Sequence, residues 1–285
     1  RVRDHFLFAK AVGLEALARA DTVVLDKTGT LTRGKPTLVR VLPFGLSQEE
    51  ALRLAAALER GSEHPLAKAV LEAAESLPQA QAEEVRALPG EGVEGRVEGR
   101  RLHLGGPALM ERLGVPLPEE AKALPEEGYT PLYLVEGTRL LAAFAVFDPP
   151  RPEAQEAVAA LKALGLKLVL LTGDHPAPAR RVAEALGIPE VLAGVRPEGK
   201  VEAIRRLQAE GRKVVFVGDG INDAAALAQA DVGLAMGSGT DIALEAGDVV
   251  LLTPDLRGVV NAVRLARRTL RTIYLNFFWA YAYNV

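Results

Sequence analysis

The chain contains no cysteine, only two methionines and a single tryptophan among 285 residues. Without cysteine it has neither a disulfide framework nor a thiolate metal site of its own. It also lacks an excess of either charge: 34 Lys and Arg face 37 Asp and Glu, for a net charge of −3. That balance gives no basis for a nucleic-acid partner. The opening residues carry no signal-peptide pattern. The chain also lacks an apolar run of the roughly 20 residues needed to cross a bilayer. The nearest approach is 273–285, IYLNFFWAYAYNV, which is uncharged and aromatic but too short. Hydrophobic residues make up 49% and charged residues 25%, enough for a sizeable core in one large or two ordinary domains.

The most informative stretch is Asp26-Lys27-Thr28-Gly29-Thr30-Leu31-Thr32. It follows the apolar run 21–25, which reads as a buried parallel strand. Asp26 thus falls at a strand's carboxyl end, where open α/β sheets place their chemistry. Two later runs repeat the pattern. Residues 166–171 lead into Thr172-Gly173-Asp174, and 212–217 lead into Gly218-Asp219-Gly220-Ile221-Asn222-Asp223. Residues 231–236 and 248–252 are further short strands. Helical patterns at 152–164, 176–186, 199–209 and 223–229 alternate with them, which predicts a doubly wound α/β fold with a parallel sheet.

The stretch between Gly34 and Val146 has a different character. It predicts helices at 47–58, with a Ser47…Glu50 capping box, and at 65–75, and antiparallel strands at 92–104 and 130–147. It reads as an α+β antiparallel-sheet domain inserted into the first. The expected boundaries are 1–33 with 147–258 for the discontinuous domain, 34–146 for the insert and 259–285 for a terminal connector. Two crossings between the domains would permit hinge closure.

The strand-end residues suit phosphoryl transfer, which depends on positioning and on neutralising charge. Asp26 is the candidate nucleophile. Asp219 is a candidate Mg2+ ligand, because carboxylates and water are what that ion prefers. Thr172 and Gly173 offer a hydroxyl and an N–H to phosphoryl oxygens. Lys200 offers a compact positive charge at a helix start. Asn222 and Asp223 are placed to orient Lys200 and the metal's water shell.

Together these motifs resemble the haloacid-dehalogenase superfamily, and the DKTGTLT run resembles the phosphorylation signature of P-type ATPases. That resemblance implies an aspartyl-phosphate at Asp26, with Asp26, Thr28, Asp219 and Asp223 around Mg2+ and Thr172, Gly173, Asp174, Lys200 and Asn222 serving the reaction. Thr28 stands where superfamily phosphatases usually carry a second Asp as general acid and base, so the resemblance favours a long-lived phosphoenzyme over a soluble phosphatase. The insert resembles the nucleotide-binding domain of heavy-metal pumps through Ser62-Glu63-His64-Pro65-Leu66-Ala67, Gly90-Glu91-Gly92 and Leu104-Gly105-Gly106. This implies an ATP site at Glu63, His64, Gly90, Gly92 and Gly105, with His64 stacking on adenine and Glu63 accepting from its amine. Gly106, where the family more often has Asn, and His175, where Asn is more usual, depart from the pattern.

Arg264, Arg267, Arg268 and Arg271 precede the apolar run, as basic residues do on the cytoplasmic side of a membrane helix. The expectation is therefore the cytoplasmic part of an integral membrane protein, cut at a transmembrane helix and separated from its own transmembrane and actuator domains. The run 276–284 resembles a membrane helix of copper(I) pumps, which implies Tyr283 and Asn284 at the transport site. A zinc or cadmium pump, a soluble phosphatase of the same superfamily and a non-catalytic nucleotide-binding module are the alternatives.

Overall fold

The computed structural model describes residues 6–8, 11–220, 222–236 and 247–284. Ile221 of the expected third loop, Val285 of the terminal run and the remaining residues of the expected domain ranges lie outside them. The chain divides into two compact units. One is Arg1–Arg33 with Pro150–Val285; the other is Gly34–Pro149. The chain returns to the first unit at Pro150, three residues beyond the expected boundary.

The first unit opens with β1 (Phe6–Phe8), α1 (Ala11–Arg19) and β2 (Thr22–Asp26). The chain then enters the second unit, built from β3 (Thr37–Pro43), α2 (Gln48–Glu59), α3 (Pro65–Ala73), β4 (Ala82–Leu88), β5 (Gly92–Val97), β6 (Arg100–Gly105), α4 (Pro107–Leu113), α5 (Glu119–Lys122), β7 (Thr130–Glu136) and β8 (Arg139–Phe147). Its six strands form one antiparallel sheet in the order β3-β8-β7-β6-β5-β4. Alternation of side chains gives that sheet two faces. Leu102, Leu104, Leu132 and Leu134 meet α2 and α3, while Tyr133, Val135 and Ala143 meet α4 and α5. Ser47 caps α2 by accepting from the Glu50 N–H at 3.1 Å, one half of the expected box.

The chain returns to the first unit through α6 (Ala154–Ala163), β9 (Lys167–Leu171), α7 (Pro176–Leu186), β10 (Glu190–Leu192), α8 (Lys200–Ala209), β11 (Val214–Asp219), α9 (Ala224–Gln229), β12 (Val232–Met236), β13 (Val249–Leu251) and α10 (Arg257–Tyr283). The seven strands run β1-β13-β12-β11-β2-β9-β10, all parallel except β1. Strand β2 lies inside the sheet, between β11 and β9, with helices on both faces. Val23 and Leu25 pack with α1, α6, α7 and α10, and Val24 packs with α8 and α9. Each fully buried aliphatic side chain of this kind stabilises the fold by about 1.5–3 kcal/mol.

The expected connector proves to be one 27-residue helix rather than a separate segment from residue 259. Its first half belongs to the core of the first unit, with Val259, Val260, Ala262, Val263 and Ala266 buried. Its second half presents Phe277, Phe278, Trp279 and Tyr281 to solvent. Among the described residues no helix is long and apolar enough to cross a membrane.

Candidate active site

Parallel pairing sets the carboxyl ends of three strands side by side. Asp26, the last residue of β2, stands opposite Leu171 of β9, and Leu25 stands opposite Val217 of β11. The loops carrying Asp26, Thr172 and Asp219 therefore open at one edge of the sheet. After Asp26 the chain makes a wide turn closed by the Thr32 N–H donating to the Lys27 carbonyl at 3.0 Å. The Thr32 hydroxyl, itself buried, accepts from the Gly29 N–H at 3.3 Å and donates to the Lys27 carbonyl at 3.2 Å. Gly29 adopts a φ of +79°, which a side chain would oppose.

Lys200, at the first turn of α8, ties the centre together. Its Nζ donates to Asp26 Oδ2 at 2.9 Å and to Asp223 Oδ1 at 2.8 Å. The other oxygen of Asp223 accepts from the Asp219 N–H at 3.0 Å, and Asn222 donates to Asp219 Oδ2 at 3.0 Å. The carboxylate of Asp223 fits because residue 218 is glycine. A Cβ at Gly218 would lie 2.7 Å from Asp223 Oδ2 and 2.6 Å from the Phe216 ring. Asp26 and Asp223 are both buried, at 5% and 4% exposure. Burial first, and the nearby Asp223 carboxylate second, push Asp26 up to about 7 despite the opposing pull of Lys200. Burial also disfavours the Lys200 charge, but Asp223 and Asp26 outweigh it and leave its pKa raised.

The Thr172 hydroxyl accepts from the Asp174 N–H at 3.1 Å, which leaves its own proton to donate elsewhere. Asp174 forms an ion pair with Lys27, which ties this loop to the one after Asp26. Thr28 is exposed with an extended backbone, φ −73° and ψ 121°. Asp223 has both oxygens engaged by the chain, one by Lys200 and the other by the Asp219 N–H.

Among the described residues no three His, Cys, Asp or Glu side chains converge to hold a metal by themselves. The donor set nevertheless suits Mg2+. Asp26 and Asp219 offer hard oxygens, and Mg2+ is usually held by one or two carboxylates with carbonyls, water and substrate phosphates completing its shell. Two buried carboxylates, Asp26 and Asp223, share the single ammonium of Lys200.

In the second unit His64 and Glu63 are exposed, and His64 caps α3 through Nδ1, which accepts from the Leu66 N–H at 3.2 Å. This bond leaves the Nε2 edge and the ring face to a ligand. Gly92 and Gly105 are paired in register. A Cβ at Gly92 would lie 2.1 Å from the Leu104 carbonyl, and one at Gly105 would lie 2.2 Å from the Glu91 carbonyl. The chain's own close backbone approach thus requires glycine at both positions. Gly90 stands in open space at the β4–β5 turn with a φ of +75°. Tyr283 and Asn284 lie at the exposed end of α10.

Three residues escaped the sequence reading. Lys27 pairs with Asp174. Arg151 donates from Nε to the Thr30 carbonyl at 2.8 Å and from Nη2 to the Gly29 carbonyl at 3.2 Å. Glu59, at the end of α2, has its carboxyl pushed up to about 7 by burial. Only Lys27 sat within a recognisable motif. The other two depend on tertiary contacts that carry no local pattern.

A sheet of this order, with a lysine bridging two buried aspartates beside its strand ends, is a fold and site of the haloacid dehalogenase-like class. The chain belongs to the haloacid dehalogenase-like hydrolases, whose family model matches residues 20–231. Within that family it is similar over nearly its whole length to heavy-metal P-type ATPases. It is 47% identical to Copper-transporting ATPase 1 of Rhizobium meliloti strain 1021, covering 98% of this chain and 34% of that protein. It is 41% identical to Copper-exporting P-type ATPase B of Archaeoglobus fulgidus, covering 99% of this chain and 40% of the relative. The chain thus spans between a third and two-fifths of the length of these curated relatives. A zinc-transporting PIB-type ATPase solved in its E2.Pi state superposes with a TM-score of 0.75 at 41% identity, covering 95% of this chain and 45% of that one. The catalytic domain of the CPx-ATPase CopB-B, from a study of nucleotide binding, superposes with a TM-score of 0.72 at 29% identity, covering 91% and 96%.

Proposed function

We propose that this chain is the ATP-hydrolysing catalytic unit of a copper(I)-exporting P-type ATPase. The observation that carries the reading is Lys200, which bridges Asp26 and Asp223 at 2.9 and 2.8 Å where the strand ends open. Residues 1–33 and 147–258 act as the phosphorylation domain, 34–146 as the nucleotide-binding domain, and 259–285 as the lead into a transmembrane helix. ATP is the phosphoryl donor. An Asp26 oxygen forms a bond to the γ-phosphorus, the bond from that phosphorus to the β–γ bridging oxygen breaks, and ADP leaves. Lys200 and the Thr172 hydroxyl receive the charge gathering on the phosphoryl oxygens. Mg2+, held by Asp26, Asp219 and the Thr28 carbonyl, would neutralise phosphate charge and keep Asp26 ionised. Glu63, His64 and Gly90 face the nucleotide, with Gly92 and Gly105 shaping the backbone beside them. Thr28 offers no base to activate water, so the aspartyl-phosphate persists long enough to drive movement of an ion.

Copper is favoured by the names of the curated relatives and by the 276–284 run, where Tyr283 and Asn284 are the candidate ion contacts and no lysine is present. The transmembrane and actuator domains of the full protein are the partners, and the chain is its cytoplasmic part. A zinc or cadmium pump is the second reading, supported by the 41% identity to a zinc transporter. ATP turnover by the full-length protein tests both. Stimulation by Cu(I) and not by Zn2+ or Cd2+ is expected. The reverse preference replaces copper, and rapid turnover of many phosphomonoesters by this chain alone returns the reading to a soluble phosphatase.

A further inference from the structure

Arg151 does more than brace one loop. Its three donor atoms reach three backbone carbonyls: Thr30 from Nε at 2.8 Å, Gly29 from Nη2 at 3.2 Å and Pro254 from Nη1 at 3.1 Å. Its own N–H donates to the Leu31 carbonyl at 2.7 Å. Gly29, Thr30 and Leu31 belong to the turn that follows Asp26. Pro254 lies three residues before α10, the helix whose far half carries the exposed aromatic run. A second bond ties the segment that carries Arg151 to the start of α10, since the Leu256 N–H donates to Glu153 Oε1 at 3.4 Å, two residues beyond Arg151. A third joins their far ends, where Arg267 of α10 donates to the Leu164 carbonyl at the end of α6 at 2.6 Å.

We infer that Arg151 is a positioning residue that couples the state of the Asp26 loop to the root of α10. The planar guanidinium suits this task, because its donors leave in fixed directions and a shift of one bonded carbonyl must be followed by the others. Lysine, with one rotatable ammonium, cannot hold the two sides in register. Bonding a phosphoryl group to Asp26 reshapes the turn whose carbonyls Arg151 holds. Pro254 and the first turn of α10 then move or tighten with it, along the helix that leads away from the site. The inference rests on the proposal that Asp26 is the phosphoryl acceptor and adds the route by which its occupancy is felt elsewhere.

The test compares hydrogen exchange of the intact chain with and without saturating beryllium fluoride and Mg2+, which stand in for the aspartyl-phosphate. In the wild type, amides of 27–32 and of 254–262 both slow on addition. In Arg151→Gln and Arg151→Lys the 27–32 response persists while the 254–262 response falls by at least threefold. If Arg151→Gln does not fold, Arg151→Lys and Glu153→Ala carry the test, the latter with a partial loss at 254–262 only. An undiminished response at 254–262 in the folded Arg151 variants overturns the coupling. So does a wild type that responds at 27–32 alone. A wild type that responds at neither segment instead sinks Asp26 as the acceptor, and the coupling with it.

Discussion

At the scale of single residues, the site is held in a charge balance that its ligands must complete. Asp26 has a folded-state pKa of about 7 against an unfolded value near 3.8. Between those values the folded chain holds the extra proton. The stability this contributes is present at low pH and is lost as pH rises towards 7. Asp26→Asn removes the penalty of the ionised carboxyl. Without metal it should raise Tm by about 3 °C or more at pH 8 and by much less at pH 4, as a thermal scan at the two pH values would show. Lys200→Met has the opposite sign. It leaves two buried carboxylates facing each other and should cost about 2–4 kcal/mol at pH 8 by denaturant unfolding. His64 has two separable duties. His64→Asn keeps an acceptor for the Leu66 N–H but removes the ring, whereas His64→Ala removes both. Both should weaken ATP binding by calorimetry, and only the alanine variant should also lose about 1 kcal/mol of stability. Equal stability of the two variants would remove the cap from the account.

At the scale of elements, the sequence pattern located the strands that matter and missed those that pattern poorly. β2, β9 and β11 are short continuous apolar runs ending in Gly, Asp or Thr, and they were legible for that reason. β4 is a largely exposed edge strand with three charged residues, and β3, the other edge strand, has no buried residue, so no alternation marked them. The glycines of the second unit were recognised as special, but the reason assigned was a ligand. The structure gives the nearer cause at Gly92, where φ is +151° and the Leu104 carbonyl occupies the place of a Cβ. Gly92→Ala should therefore destabilise the second unit by about 2–4 kcal/mol even without nucleotide, measured by urea unfolding of the intact chain. A stable variant that had lost only ATP affinity would restore the ligand explanation.

At the scale of the whole molecule, two units with separate cores share one chain, and α10 begins in the core of the first and ends in solvent. The aromatic run at 273–283 was legible as apolar and short. Its continuity with a helix rooted beside the Asp26 loop was not, because Arg257–Leu270 patterns as an ordinary amphipathic surface helix and the Arg151 bonds join residues more than 100 positions apart. Truncation after Thr272 should leave Tm unchanged and lower self-association in light scattering, since it removes exposed apolar surface and no buried side chain. The central claim concerns Asp26, and one measurement addresses it most directly. The full-length protein is incubated with γ-32P-ATP and Mg2+, quenched in acid, and its labelled peptide is mapped. The account predicts an acid-stable, hydroxylamine-sensitive label on the peptide containing Asp26, absent in Asp26→Asn. A label that persists in Asp26→Asn, or that maps to another residue, would contradict it.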